Sequence, residues 1–295
     1  MSDIIHVSHL TKDYKKGKGV FDLSFSVGKG EAFGFLGPNG AGKTTTIRQL
    51  MGFIRPTSGT VSINGMDCFL QAATIQKDVG YLPGELPLPE DLTGEQFISF
   101  IAKLKGISDI FYAHQLMQRF QLDGKQKMRK MSKGTRQKVG IVAAFMGQPQ
   151  IFILDEPTSG LDPLMQNEFI QLVLEQKAKG CTIFLSSHIF EEVERTCDRV
   201  AILRKGKIAS IQPIDTLRHQ QSREFHFSFS SQEGATAFYQ KMGGTLQEKT
   251  VILLAGKEQL PSILQMASSL NICDLSTKSQ SLEDTFLAFY GEEQK

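Results

Sequence analysis

The chain has little that would tie it to an oxidising compartment, a structural metal or a bilayer. Its four cysteines, Cys68, Cys181, Cys197 and Cys273, are scattered with no C-x-x-C pair. They read as reduced thiols of a cytosolic protein, not as a disulfide framework. The six histidines are equally dispersed, which argues against a zinc-type structural site. No apolar run reaches the roughly 20 residues that span a bilayer. The longest candidate, Val139–Met146, falls far short. Met1–His6 lacks the charged-then-apolar pattern of a signal peptide. If the protein works at a membrane, another chain must do the spanning. Charge of one sign is missing too. The formal net charge is +2, and no basic run draws nucleic acid or an anionic surface. What remains is ordinary hydrophobic content, 40%, and 295 residues, enough for one large α/β domain and a smaller one.

The apolar segment Ala32–Leu36 runs straight into Gly37-Pro38-Asn39-Gly40-Ala41-Gly42-Lys43-Thr44, a G-x-x-x-x-G-K-T run. Glycines there permit backbone angles closed to other residues, so successive amide N–H groups can point inward at phosphate oxygens. A helix starting near Lys43 adds its positive dipole end. Lys43 is placed to reach the β- and γ-phosphates of a nucleotide, and the Thr44 hydroxyl to hold Mg²⁺.

Around this loop the pattern alternates between strand and helix. Apolar residues at 21, 23, 25 and 27 have the period of a half-buried strand, as does Thr60–Ile63 between turn signals at Gly59 and Asn64-Gly65. Thr45–Phe53 is the helix leaving the loop. From about Gly84 to Gln148 the chain turns helical, with Gln96–Lys105 and Phe111–Phe120 carrying apolar residues at helical spacing. Ile151–Leu154 and Val200–Leu203 are wholly apolar and Thr182–Leu185 is apolar after its threonine, as buried parallel strands are. The pattern loosens near Ile211–Ser222, a domain boundary. Beyond it Phe225, Phe227 and Phe229 alternate with polar residues, among them His226, an exposed strand residue. Helices over Ala235–Met242 and Gln259–Ser269, and strands over Thr250–Leu254 and near Ile272–Leu275, complete a small α+β domain without catalytic residues. Ser281 opens a last helix as its N-cap.

Asp155 and Glu156 end the buried strand Ile151–Leu154, where open α/β sheets bind ligands. Asp155 is suited to Mg²⁺, and Glu156 to polarising the water that attacks a γ-phosphate. Pro157-Thr158-Ser159-Gly160-Leu161-Asp162 follows at once. Over roughly residues 3–212 the sequence resembles the ATPase subunit of ABC (ATP-binding cassette) transporters. The matching segments are GPNGAGKTT at 37–45, MSKGTRQ at 131–137, ILDEPTSGLDP at 153–163 and LSSH at 185–188, in the family's order and spacing.

That resemblance implies an α/β P-loop NTPase core with an N-terminal antiparallel β-subdomain and an inserted helical subdomain at about 84–148. Together these make an ATP-binding domain over 1–212, with an accessory α+β domain over 213–295. It implies ATP and Mg²⁺ as ligands, held by the loop from Gly37 through Thr45. Ser132, Lys133, Gly134 and Thr135 fall on the signature that contacts ATP held by an opposite subunit, with the helix behind it over Arg136–Phe145. Asp162 matches the D-loop acid, His188 the switch histidine at the γ-phosphate, and Tyr14, helped by Val20, the aromatic that stacks on adenine. Two positions depart from the family. The signature reads S-K-G-T in place of the frequent S-G-G-Q, and Gly84 stands where a glutamine is expected, with Glu85 beside it either a substitute polar ligand or an exposed acid in a flexible loop. Both variants resemble bacterial ATPases that pair with ABC-2-type permeases, many of them exporters, and SLEDTFLAFYG resembles that subgroup's C-terminal domain. The resemblance implies a homodimer or heterodimer of cassettes, peripheral on the inner face of the membrane through a permease. No nucleic-acid partner is expected. Relatives acting on ribosomes or DNA carry two cassettes or long coiled-coil insertions, and this chain shows neither.

Overall fold

The structure, a computed structural model, describes residues 3–86, 89–219, 223–255 and 259–279. Strands β1 (Asp3–Asp13), β2 (Gly19–Gly28), β4 (Ser58–Ile63) and β5 (Met66–Asp67) pair antiparallel in the order β2-β1-β4-β5. Alternation buries Ile5, Val7, Leu23, Phe25, Val27, Val61 and Ile63 on one face. The period expected at 21, 23, 25 and 27 holds from Leu23 onward and fails at Phe21, which is only half-buried, whereas Val20 is fully buried. Leu10 pairs with Leu23 but Lys12 with Val20, so Phe21 and Asp22 together face Thr11 alone. Asp22 takes a φ of 57°. This bulge re-aims Val20 inward.

The second sheet contains β3 (Ala32–Leu36), β6 (Val79–Leu82), β7 (Ile151–Asp155), β8 (Thr182–Ser187), β9 (Arg199–Arg204) and β10 (Lys207–Pro213), ordered β10-β9-β3-β8-β7-β6. It is parallel from β9 through β6. β3, β7 and β8 are buried at every residue, as continuous apolar runs require. α1 (Lys43–Leu50) follows β3, α6 (Pro163–Ala178) follows β7, and α7 (Phe190–Thr196) follows β8. The carboxyl ends of these three neighbouring strands therefore deliver the glycine loop, the Asp155-Glu156 pair and His188 to one edge. Phe25, Phe33, Phe35 and Phe184 stack between the two sheets, with ring centroids 5.1–6.0 Å apart. Gly34 is needed where α7 lies on β3, because a Cβ there would stand 2.3 Å from Val193 Cγ1.

Between β6 and β7 lie α3 (Gly94–Leu104), α4 (Phe111–Arg119), a 3₁₀ turn at Met128–Lys130 and α5 (Lys133–Phe145); α2 (Ala72–Asp78) precedes β6. α3 begins two residues before the expected Gln96. Thr93 Oγ1 accepts from Gln96 N at 3.2 Å while Gln96 Oε1 accepts from Thr93 N at 2.9 Å, a reciprocal cap. α5 begins at Lys133, not at Arg136, because Ser132 Oγ accepts from Thr135 N at 3.1 Å. Lys133, Gly134 and Thr135 are thus the first helical turn, not a loop ahead of it. No helix among the described residues is long and apolar enough to cross a membrane.

Backbone packing divides the chain into two compact units, Met1–Gln212 and Pro213–Lys295. The second comprises α8 (Ile214–His219), β11 (Arg223–Phe229), α9 (Gln232–Met242), β12 (Thr245–Gln247), β13 (Thr250–Ala255), α10 (Leu260–Ser268) and β14 (Ile272–Ser279). After α8, its βαββαβ order and the antiparallel sheet β12-β13-β11-β14 are those of a ferredoxin-like fold. Phe225, Phe227 and Phe229 pack with Phe238 and Ile263 in a separate core. His226 is half-buried, not exposed, and its Nε2 meets Glu224 Oε1 at 2.6 Å. The helix expected from Ser281 lies outside the described residues.

Candidate functional site: a phosphate loop facing two carboxylates

The loop after β3 owes its shape to two glycines with positive φ, Gly40 at 82° and Gly42 at 110°. Gly42 is also the N-cap of α1, and a Cβ there would stand 2.4 Å from Val20 Cγ1. Gly37 N–H donates to Ser187 O at 3.1 Å, fixing the start of the loop to the end of β8. Lys43 is buried, and its Nζ donates to Gly37 O at 2.6 Å and Pro38 O at 3.1 Å. The same ammonium meets Glu156 Oε1 at 3.0 Å. A lysine curled over its own loop in this way presents its charge where the loop amides converge.

Glu156 takes a φ of 49°, a left-handed conformation that costs a non-glycine residue about 1–3 kcal/mol. The surroundings enforce it. Its N–H donates to Ser186 O at 3.1 Å, and Gln137 Nε2 of α5 donates to Pro157 O at 2.8 Å and Glu156 O at 3.3 Å. The carboxylate is thereby aimed between Lys43 and His188, with Oε2 bonded to His188 Nδ1. Asp155 is wholly buried. Ser186 Oγ donates to its Oδ1 at 2.5 Å, while Oδ2 has no hydrogen-bond partner. Burial pushes the Asp155 carboxyl above its usual range. The Ser186 hydroxyl, then the Thr44 hydroxyl and the Lys43 ammonium, pull it back, and Glu156 adds to the rise. Thr44 is near enough to favour the charged form but makes no hydrogen bond to it. An orphaned, buried carboxylate oxygen facing a threonine hydroxyl fits a hard divalent cation.

One cleft of about 880 Å³ collects Lys43, Thr44, Glu156 and His188, with Asp155 outside its lining. Tyr14, Asn39, Gly40, Gly42, Lys43, Thr44, Thr45, Glu85, Lys133, Glu156 and His188 line it. Gly37, Pro38 and Ala41 support the loop from outside the cleft. Val20 lies beneath Gly42, fully buried, and does not join Tyr14 there. Tyr14 is half exposed, with Lys12 Nζ 5.6 Å from its ring centroid. Gly84 backs directly onto Asp155, since a Cβ on it would stand 3.2 Å from Asp155 Oδ2. Glu85 is exposed at the rim, and no group of three or more acids, histidines or cysteines assembles as a metal cage among the described residues.

The signature lies against the segment after Glu156 in the same chain. Lys133 Nζ donates to Ser159 Oγ at 2.8 Å, and a Cβ at Gly134 would stand 2.3 Å from Gly160 O. Ser132 is spent on its cap, with its Oγ also 2.9 Å from Thr135 Oγ1. Asp162 caps α6, its Oδ1 accepting from Met165 N at 3.0 Å, a role not foreseen for it. Also unforeseen on the cleft are Lys18, Arg48 and Lys205. Only Lys18 had a signal, the cluster Lys12, Lys15, Lys16 and Lys18 beside Tyr14.

The sequence profile of the family described as ABC transporter matches residues 20–159. The bacitracin transport ATP-binding protein BcrA of Bacillus licheniformis is 33% identical over 301 residues, covering 99% of this chain and 98% of its own. The linearmycin resistance ATP-binding protein LnrL of Bacillus subtilis (strain 168) is 33% identical over 213 residues, 70% of this chain and 68% of its own. Among solved structures, an ATP binding subunit of an ABC transporter aligns with a TM-score of 0.67 at 36% identity, covering 74% of this chain and 92% of that one. A dimeric post-hydrolysis ATP-binding cassette bound to ADP and Pi, 21% identical, shares the fold with a TM-score of 0.62, over 71% and 98% of the two chains. With a glycine loop, the strand-end Glu156 and a histidine lining one cleft, the neighbouring Asp155 buried behind them, and relatives matched along nearly its whole length, this chain belongs to the ABC transporter ATP-binding subunits and is an ATPase.

Proposed function

We propose that the chain is the motor of an exporter, closing in pairs on ATP and driving a separate ABC-2-type permease at the inner face of the cell membrane. The observation that carries this reading is Glu156, held in a strained backbone between Lys43 and His188, one residue from the buried Asp155. An incoming γ-phosphate competes for the Lys43 ammonium and frees the Glu156 carboxylate to accept a proton from the attacking water. Thr44 and Asp155 would hold Mg²⁺, which supplies charge neutralisation at the β- and γ-oxygens. His188 steadies the γ-phosphate side and Tyr14 the adenine. Glu85, at the rim, is the nearest stand-in for the glutamine missing at Gly84. Ser132 to Thr135 would complete the site of a second copy or a related cassette, with Asp162 at the same seam. The export assignment draws support from relatives named for bacitracin transport and linearmycin resistance.

E156Q is expected to bind MgATP, elute as a dimer on size exclusion and hydrolyse at least about a hundredfold more slowly. Wild-type turnover in that variant overturns the role of Glu156. Pull-down from native membranes in mild detergent should bring down a polytopic permease; recovery of ribosomes or DNA instead would overturn the transport reading.

A further inference from the structure

Glu192 has no part in the chemistry above, yet it is an acid 3% exposed that forms no ion pair among the described residues. Burying a carboxyl without a cation costs several kcal/mol, so its retention calls for a reason. Its Oε2 accepts from Ser187 Oγ at 2.5 Å, and that same hydroxyl accepts from Ile189 N at 2.9 Å. Ser187 and Ile189 flank His188. Ser187 O in turn accepts the Gly37 N–H of the phosphate loop. The turn bearing the histidine is therefore gripped on both sides, and Glu192 fixes the proton that orients the grip. The backbone that carries Glu192 is anchored: Thr196 Oγ1 donates to its carbonyl at 2.7 Å, and Val193 beside it is seated over Gly34.

We infer that Glu192 is a positioning residue for hydrolysis, setting the His188 ring against Glu156 through the Ser187 hydroxyl. The inference rests on the role proposed for His188. Burial raises the Glu192 acid, and Glu156 adds to that, while the Ser187 and Thr158 hydroxyls oppose it. Oε1 is left without a hydrogen bond, and the Thr158 hydroxyl, two residues past Glu156 in the chain, is near enough to favour the charged carboxyl.

The test uses the full chain with MgATP, comparing E192A, E192Q, S187A, H188A and the E192A/H188A pair. ATP turnover and KM are measured beside the ¹⁵N ring signals of His188 in histidine-labelled protein. E192A and S187A are expected to lose about tenfold or more in kcat, as a misplaced reacting group does, with KM within about twofold. Their His188 ring signals shift. E192Q, whose amide oxygen still accepts the Ser187 hydroxyl, keeps turnover and signals close to wild type. The double variant is about as slow as H188A alone. Wild-type kcat with unmoved His188 signals in E192A overturns the inference, as do losses that multiply in the double variant or an E192Q as slow as E192A. If E192A does not fold, S187A and E192Q decide it by the same two readouts. Wild-type turnover in H188A overturns the underlying role of His188, a result separable from the ring signals.

Discussion

At the scale of single residues, the cost of a buried acid has a pH signature. Burial pushes Glu192 up to about 8 from an ordinary 4.5; Glu156 adds to the rise, and the Ser187 and Thr158 hydroxyls oppose it. Between those two values the folded protein holds a proton that the unfolded chain releases. Stability from this group therefore falls as pH rises through that window and levels off above it. E192Q has no such proton, so its stability relative to wild type is expected to rise steadily from pH 5 to pH 8. Urea melts at several pH values read this directly, and a flat difference would refute it. Lys43, Asp155 and Glu156 were legible because their chemistry lies in contiguous runs with fixed geometry, loop then helix and strand then acid. Glu192 was not. Its meaning depends on which way a short helix rolls onto β3, and that is decided where the neighbouring Val193 meets Gly34, far away in sequence.

At the scale of elements, the aromatic stack between the two sheets joins the strand that feeds the phosphate loop to the strand that feeds His188. Phe184 of β8 lies 5.1 Å from Phe35 and 6.0 Å from Phe33 of β3. Phe184→Ala is expected to cost about 3–5 kcal/mol, the usual loss for emptying a buried aromatic site. Denaturant unfolding should show a lower midpoint with little change in slope. Strand and helix periods made most elements readable, and errors gathered at their ends. Local caps decided those ends: Thr93 with Gln96 advanced one helix, and Ser132 advanced the signature helix by a turn. The bulge at Asp22 escaped because an extra residue in a strand leaves no mark on an alternating pattern except the break itself.

At the scale of the whole molecule, two units carry separate cores, one around the stacked phenylalanines of the first and one around Phe227 and Phe238 of the second. Separate cores are expected to melt separately. Calorimetry of the intact chain should resolve two transitions, and MgATP at about a hundredfold over its Kd should stabilise the larger unit by about 2.7 kcal/mol while leaving the smaller one where it was. A single transition that moves as one with MgATP would show the units to be energetically fused. The α+β character of the second unit could be read from alternation at Phe225, Phe227 and Phe229. Its strand order could not, because β11 pairs with β13 and β14 and not with the nearer β12. That choice lies in the packing of two helices on one face, which a single sequence does not display.

The backbone at Glu156 has a consequence for how this protein can change. Glycine would sit there without strain, so a mutational path toward a steadier fold runs through the loss of the acid proposed to activate water. E156G is expected to exceed E156A in stability by about 1 kcal/mol, although both are equally inactive. Thermal melts of the two variants compare them with the chemistry held constant. On the role proposed for Glu156, position 156 is where drift toward robustness and selection for turnover pull in opposite directions, and the glutamate there is the visible record of which one prevails.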